Sequence, residues 1–365
     1  MKKSLIALAL ASVFVAPAAM ADDVKVYGVV DMSFGSSSNG QNSATQVSSN
    51  TTKIGFKGSE DLGDGLSAIW AIEQQVDLAN TDTASAKAQK TGFASRNSFL
   101  GLKGDSWGTV LMGIHDTPYK IATRHLDPFG DGIGDNRAIM GKGHDSRLSN
   151  VLAYISPSMN GFTLAAAYVA GANVLPAAAV TNKGDAVSLA LMYDQNPFKV
   201  HFGYQNVKFG DAGTGLLAGT PAIGGDKTTA WKLGGSYDFG MATVGAIYEH
   251  IGSSGVSAAY ANDAKKHNDW TLNGVIKVNG SDAVKLAYVK VGDTGNVINT
   301  GAKQTSIGYD HNMSKRTKLY FVYTHVSNDS AAAYGLADTS TGNPTAAGAA
   351  GQSVHAFGVG IKHAF

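Results

Sequence analysis

Apolar and polar residues alternate one by one along most of this chain, and the alternation comes in short runs. Phe198, Val200, Phe202 and Tyr204 interleave with Lys199, His201, Gly203 and Gln205; Trp231, Leu233, Tyr237 and Phe239 interleave with Lys232, Gly234, Ser236 and Asp238. A period of two marks a β-strand with one face in an apolar medium and the other in a polar one. Sixteen such runs are present, centred on 24–34, 53–57, 66–76, 98–103, 109–113, 147–155, 162–170, 186–193, 198–207, 229–239, 242–250, 269–278, 283–291, 303–310, 317–325 and 354–365.

The connections between the runs sort by length. Short ones (58–65, 104–108, 156–161, 194–197, 240–241, 279–282 and 312–316) alternate with long ones (35–52, 77–96, 114–146, 171–185, 208–227, 251–268, 292–301 and 326–353). This predicts an all-β fold: a 16-stranded antiparallel β-barrel with tight turns at one rim and long loops at the other, the plan of a transmembrane barrel. A water-soluble sandwich has no reason to sort its connections this way, and a solenoid would need a fixed repeat length, which is absent. In lipid a closed sheet satisfies every backbone polar group. The apolar face then meets lipid or a neighbouring subunit, and the polar face meets the lumen. Aromatics near strand ends (Tyr193, Tyr237, Phe239, Tyr309 and Phe365) suit interfacial girdles.

Composition agrees. There are 45 Gly against 8 Pro, which suits close strand packing better than disorder, and no cysteine, so no disulfide holds the fold. Lys2 and Lys3, the apolar run Leu5–Ala16 and Ala19-Met20-Ala21 read as a secretory leader over 1–21, with one barrel domain over 22–365. Without Lys2 and Lys3, 27 basic side chains stand against 28 acidic ones, which gives no bias toward nucleic acid.

The longest interruption, His115–Ser146, is 32 residues with five Asp (Asp116, Asp127, Asp131, Asp135, Asp145) and four cations (Lys120, Arg124, Arg137, Lys142). Loops this long in ordered domains are commonly functional. Pro128, Phe129, Ile133, Ile139 and Met140 supply apolar anchors. We therefore expect an ordered loop folded into the barrel. Side chains cannot fill a barrel of about sixteen strands, so this third long loop would narrow an aqueous channel. Its carboxylates, facing wall cations, would set a transverse field at the constriction. Other chemistry fits less well. His115, His125 and His144 lack a common metal spacing. Asp127, Asp131 and Asp135 lack the EF-hand spacing. Gly141-Lys142 is followed by Gly143 where a phosphate loop needs Ser or Thr. No cofactor or metal is expected.

Several segments resemble the trimeric general diffusion porins of the neisserial or beta-proteobacterial type: Val26-Tyr27-Gly28-Val29-Val30-Asp31, the stretch from Ile54 to Leu66, Ser98–Gly104 followed by Gly108–Gly113, Asp116-Thr117-Pro118, and Arg147, Asn150, Tyr154, Ser156 and Pro157. The resemblance implies a homotrimer, an inward-folded third loop, and wall cations facing that loop's acids. Lys53 occupies a place that is often Arg, and Arg147 matches directly. Ile114 departs from a position that is often basic. Terminal Phe365 fits the signal read by the barrel-assembly machinery. The implied surroundings are outer-membrane lipid and lipopolysaccharide of a Gram-negative bacterium.

The candidate constriction residues are therefore Asp116, Lys120, Arg124, Asp127, Asp131, Asp135 and Arg137, facing a basic wall of Lys53, Lys57, Lys103 and Arg147. Read by alternation, the lumen face also carries Lys25, Lys199, Lys232, Lys277, Lys285, Lys318 and Lys362, against only Asp31, Glu73, Asp238 and Glu249. That balance predicts passive diffusion of small hydrophilic solutes with a weak anion preference. A substrate-selective channel is the alternative, and a barrel enzyme or adhesin a more distant one.

Overall fold

The computed structural model describes residues 24–79, 93–141, 143–171, 184–208, 227–254, 266–336 and 348–365. The leader expected over 1–21 lies outside them. The strands are β1 Lys25–Ser38, β2 Ser43–Ser49, β3 Lys53–Gly63, β4 Leu66–Gln75, β5 Ser98–Gly104, β6 Gly108–Asp116, β7 Arg147–Ile155, β8 Phe162–Val169 and β9 Asp185–Gln195. They continue as β10 Phe198–Lys208, β11 Lys227–Asp238, β12 Ala242–Ser254, β13 His267–Lys277, β14 Asp282–Val291, β15 Ala302–Asn312, β16 Thr317–Asn328 and β17 Val354–Ala364. Neighbours in the chain pair antiparallel, and β1 pairs with β17 to close the ring. Seventeen segments make sixteen wall positions, because β2 and β3 share one. β2 pairs with the far half of β1 (Met32↔Ser49 to Ser38↔Ser43) and β3 with the near half (Lys25↔Lys57 to Val29↔Lys53).

This corrects the expected long loop over 35–52. β1 runs on to Ser38, turns through 39–42 and returns as β2. The segment Ser43-Ala44-Thr45-Gln46-Val47 is mostly polar on both faces, with Ala44 on one and Val47 on the other, so it carries no period-two hydrophobic signal, yet its backbone still completes a ladder. The gap between β2 and β3 has its own cause. Asn50 and Thr51 point inward to Asp31: Thr51 Oγ1 donates to Asp31 Oδ2 at 2.9 Å, and Asn50 Nδ2 donates to Tyr320 Oη at 2.7 Å.

Burial is inverted relative to a water-soluble protein. Leu100, Met112 and Phe34 are about 60% exposed, while Lys232, Glu249, Gln205 and Gln304 are at most 1% exposed. Only a sheet with hydrocarbon outside and a polar interior is stable in that arrangement. Strand lengths of about 9–11 residues, which most of these approach, suffice to cross a bilayer at a tilt.

The inserted loop leaves β6 at a register shift between Gly113 and His115. Gly113 has φ +145°, a conformation that L side chains rarely adopt. Helix α1, Pro118–Arg124, follows at once: Pro118 takes its first turn and the Thr117 hydroxyl accepts the Lys120 N–H. A short 3-10 turn, Asn136–Ala138, comes later. The loop lies inside the barrel. Leu126, Phe129, Ile133, Ala138, Ile139 and Met140 pack with Ile247, Ala287, Val289 and Val322 of the wall. The wall makes room with glycine: a Cβ at Gly358 would sit 2.6 Å from Ile133 Cδ1, and one at Gly308 would sit 2.9 Å from Phe129.

Candidate functional site

Polar latches fix the loop to the wall at both ends. Near α1, the Tyr119 N–H donates to Ser188 Oγ at 2.9 Å and the Tyr119 hydroxyl donates to Glu249. The other Glu249 oxygen accepts the Gly141 N–H at 2.9 Å. Lys232 reaches Asp145 at 2.5 Å and stands 4.0 Å over the Tyr119 ring. Across the barrel, Gln304 Nε2 donates to the carbonyls of Gly134 at 2.9 Å and Asp135 at 3.1 Å. Each latch pairs a buried polar group that would be costly to leave alone.

His144 belongs to this layer. Its Nε2 lies 3.1 Å from Thr228 Oγ1, and Gln205 Nε2 donates to its carbonyl at 3.1 Å. Burial, then Lys232 and His267, push the imidazole down to about 3 from an ordinary 6.5. The docked loop therefore holds His144 neutral, while an undocked loop takes up a proton below about pH 6.5. Docking is unaffected above that pH and weakens as pH falls from 6.5 toward 3. Amide exchange at 143–146, corrected for intrinsic rate, should show more frequent opening at pH 5 than at pH 7.5. His144→Gln should remove most of that difference.

The charged edge of the loop faces β3, β4, β6 and β7. Asp116, at the end of β6, is the hub: Lys120 lies 3.2 Å away, Arg124 2.8 Å and Arg147 3.1 Å. Arg124 also bonds Asp131, and Arg137 holds Asp131 at 2.7 Å and bonds Asp135. On the facing wall, Glu73 binds Lys53 at 2.9 Å and Arg96 at 2.6 Å. Asn97 ties the two halves: Arg147 Nε donates to its Oδ1 at 2.8 Å, and the Asp116 N–H to the same atom at 3.0 Å. Burial, with Arg137, Arg147 and Arg124 nearby, pushes the Lys120 ammonium down to about 8 against the pull of Asp116. It remains charged at neutral pH.

Six cations thus meet four carboxylates, and they differ in depth. The side chains of Lys53 and Arg124 are 23% and 20% exposed, while those of Asp116, Asp135 and Glu73 are 2%, 2% and 8% exposed. The fourth carboxylate, Asp131, is 16% exposed, so the water-facing surface of the group carries Lys53 and Arg124 with one acid, and the other three acids lie beneath. This differs from the expected transverse field, because the loop's carboxylates are paired within the loop and with adjacent cations. Arg96, at the end of the long connection 77–96, is a full member.

Other expected residues lie elsewhere. Asp127 turns into the loop, where its carboxylate accepts the N–H groups of Phe129 at 2.9 Å and Asn136 at 2.8 Å. Burial, with Asp135 beside it, raises its pKa. Lys57 sits 5.0 Å over the Tyr27 ring toward the short-turn rim, and Lys103 lies exposed at that rim. Phe365 exchanges backbone hydrogen bonds with Gly28, both at 3.1 Å. The inner wall also carries more acid than expected. Asp310 binds Lys285 at 3.0 Å and Lys318 at 2.6 Å, Asp194 lies 3.1 Å from His201, and Asp269 lies 3.4 Å from His267. His115, His125 and His144 do not converge. His115 bonds the Asp116 carbonyl, and His125 lines a cavity of about 570 Å³ beneath the loop with Asp194, Lys199, Asp238 and Asn273.

A closed sixteen-position sheet, apolar outside and polar within, narrowed by a charged inserted loop, defines a membrane diffusion channel. The chain belongs to the Gram-negative porin family, whose model matches residues 6–331. It is 29% identical to outer membrane porin protein 32 of Delftia acidovorans, over the whole of both chains. It is also 29% identical to the major outer membrane protein P.IB of Neisseria meningitidis serogroup B, over 87% of this chain and 91% of that one. Among solved structures, the anion-selective porin from Comamonas acidovorans superposes with a TM-score of 0.74 at 25% identity, covering 94% of this chain and 99% of that one. The protein is an outer-membrane diffusion channel of a Gram-negative bacterium, and its relatives are channels rather than enzymes.

Proposed function

We propose that the channel passes small hydrophilic solutes and ions passively and favours anions weakly. The observation that carries this is the layering at the constriction: Lys53 and Arg124 meet water with only Asp131 beside them, while the carboxylates of Asp116, Asp135 and Glu73 lie below. A permeating ion senses the near charge more than the deeper one, and salt screens the rest over about 8–10 Å. In a planar bilayer under a KCl gradient, the reversal potential should show chloride a few-fold more permeant than potassium. Equal permeability or potassium preference would overturn the reading.

The family likeness and the anion-selective neighbour support this function. Trimeric porin neighbours support a homotrimer; contact with outer-membrane lipid and lipopolysaccharide, and recognition of Phe365 by the barrel-assembly machinery, belong to the same proposal. A leader over 1–21 that is removed to leave a barrel beginning near Asp22 completes the proposal.

A further inference from the structure

On the outward face of the barrel two lysines stand directly opposite each other. Lys290 of β14 and Lys303 of β15 are register partners, both exposed, near the long-loop rim. Like charges facing each other across a strand pair destabilise it. Some other lysines of this barrel are neutralised by a carboxylate: Lys208 has Asp185 at 3.6 Å, and Lys285 has Asp310 at 3.0 Å. Neither Lys290 nor Lys303 has an ion pair or hydrogen bond among the described residues.

Their height in the membrane is marked by rings. Trp270 is the register partner of Lys290, and its ring lies 5.2 Å from that of Tyr288. Trp231 and Tyr248, on β11 and β12, repeat the arrangement at 5.5 Å. Such rings sit where hydrocarbon meets headgroups. Lys290 is two residues past Tyr288, about 7 Å farther along the strand toward the rim, and level with Trp270, where the headgroup layer begins. His325 and His355, also register partners with rings 6.4 Å apart, extend the polar face of this rim toward β17.

We propose that Lys290 and Lys303 together clamp the phosphate of an outer-leaflet lipid headgroup. A phosphate monoester carries roughly two negative charges at neutral pH, matching two ammonium groups that otherwise repel. The membrane supplies the counter-ion that the described residues do not, at a height where phosphorylated lipid headgroups lie. The inference deepens the proposed lipopolysaccharide contact and rests on the wall being lipid-facing.

The test uses the intact channel in phosphatidylcholine nanodiscs doped with lipid A, or with lipid A stripped of its phosphates. Bound lipid is counted by native mass spectrometry. The unmodified channel should retain the phosphorylated lipid, and Lys290→Gln with Lys303→Gln should weaken it about thirtyfold. Lys315→Gln with Arg316→Gln, at the opposite rim, should leave retention unchanged. Equal retention by the Lys290/Lys303 double variant, or equal retention of the phosphate-free lipid, overturns the proposal. So does displacement by inorganic phosphate at the same concentration, which would make this a free-anion site. Single-channel conductance of the same preparations tests the channel reading separately. Both side chains point away from the lumen, so the double variant should conduct like the parent.

Discussion

Channels carrying Lys53→Glu together with Arg124→Glu will prefer potassium to chloride. These two side chains are the most exposed cations of the constriction group, at 23% and 20%. Inverting both shifts the group by four charges, from two cations in excess to two carboxylates in excess. A unit charge about 5 Å from an ion's path is worth roughly 0.8 kcal/mol in a water-like dielectric. Even with salt screening, four such changes should move the chloride-to-potassium ratio by roughly tenfold or more. Reversal potentials in a KCl gradient read this directly. The matched pair Lys57→Glu and Lys103→Glu, at the short-turn rim, should move the ratio much less. If the rim pair proved as effective as the constriction pair, selectivity would not reside at the loop.

Asp116→Asn should loosen the loop by about 3 kcal/mol, because removing one partner from a buried ionic cluster leaves the others uncompensated. Three cations converge on this carboxylate, whose side chain is only 2% exposed. Asparagine fills the same space but supplies no charge, so Lys120, Arg124 and Arg147 then repel at close range. The expected result is trypsin cleavage after Lys120 or Arg124 in the folded barrel, together with noisier conductance. The latches through Glu249 and Gln304 remain, so the barrel itself should stay folded and resist denaturation as before. A loop as protease-resistant as that of the parent channel would show that Asp116 does not hold it.

The two variants rest on residues that differ in how readable they were. Lys53 and Arg147 sit in strands with clean alternation, so their inward direction follows from parity alone. Arg96 has no such frame. It precedes β5 in a stretch without periodicity, and only its hydrogen bond to Glu73 at 2.6 Å reveals it. Asp310 was legible in principle, because it shares parity with Gln304 and Ser306, yet its pairing with Lys285 and Lys318 halves the charge those lysines offer. Asp127 shows the opposite limit. Its carboxylate looked equivalent to those of Asp131 and Asp135, but loop conformation turned it onto two backbone N–H groups. Pattern gave direction along strands; within the loop, direction depends on turns that no period encodes. The sixteen wall positions were readable for the same reason that β2 was not: one apolar face makes a signal, and two polar faces make none.

The ring closes where Val29 pairs with Ala364, residues that lie at opposite ends of the described chain. No nascent segment can satisfy the outer edge of β1 until β17 has arrived, so through most of synthesis and transit one strand offers bare N–H and C=O groups to any other chain. The seam is therefore the place where a partly assembled copy is most open to pairing with a stranger, and its closure is the last step that makes the wall continuous.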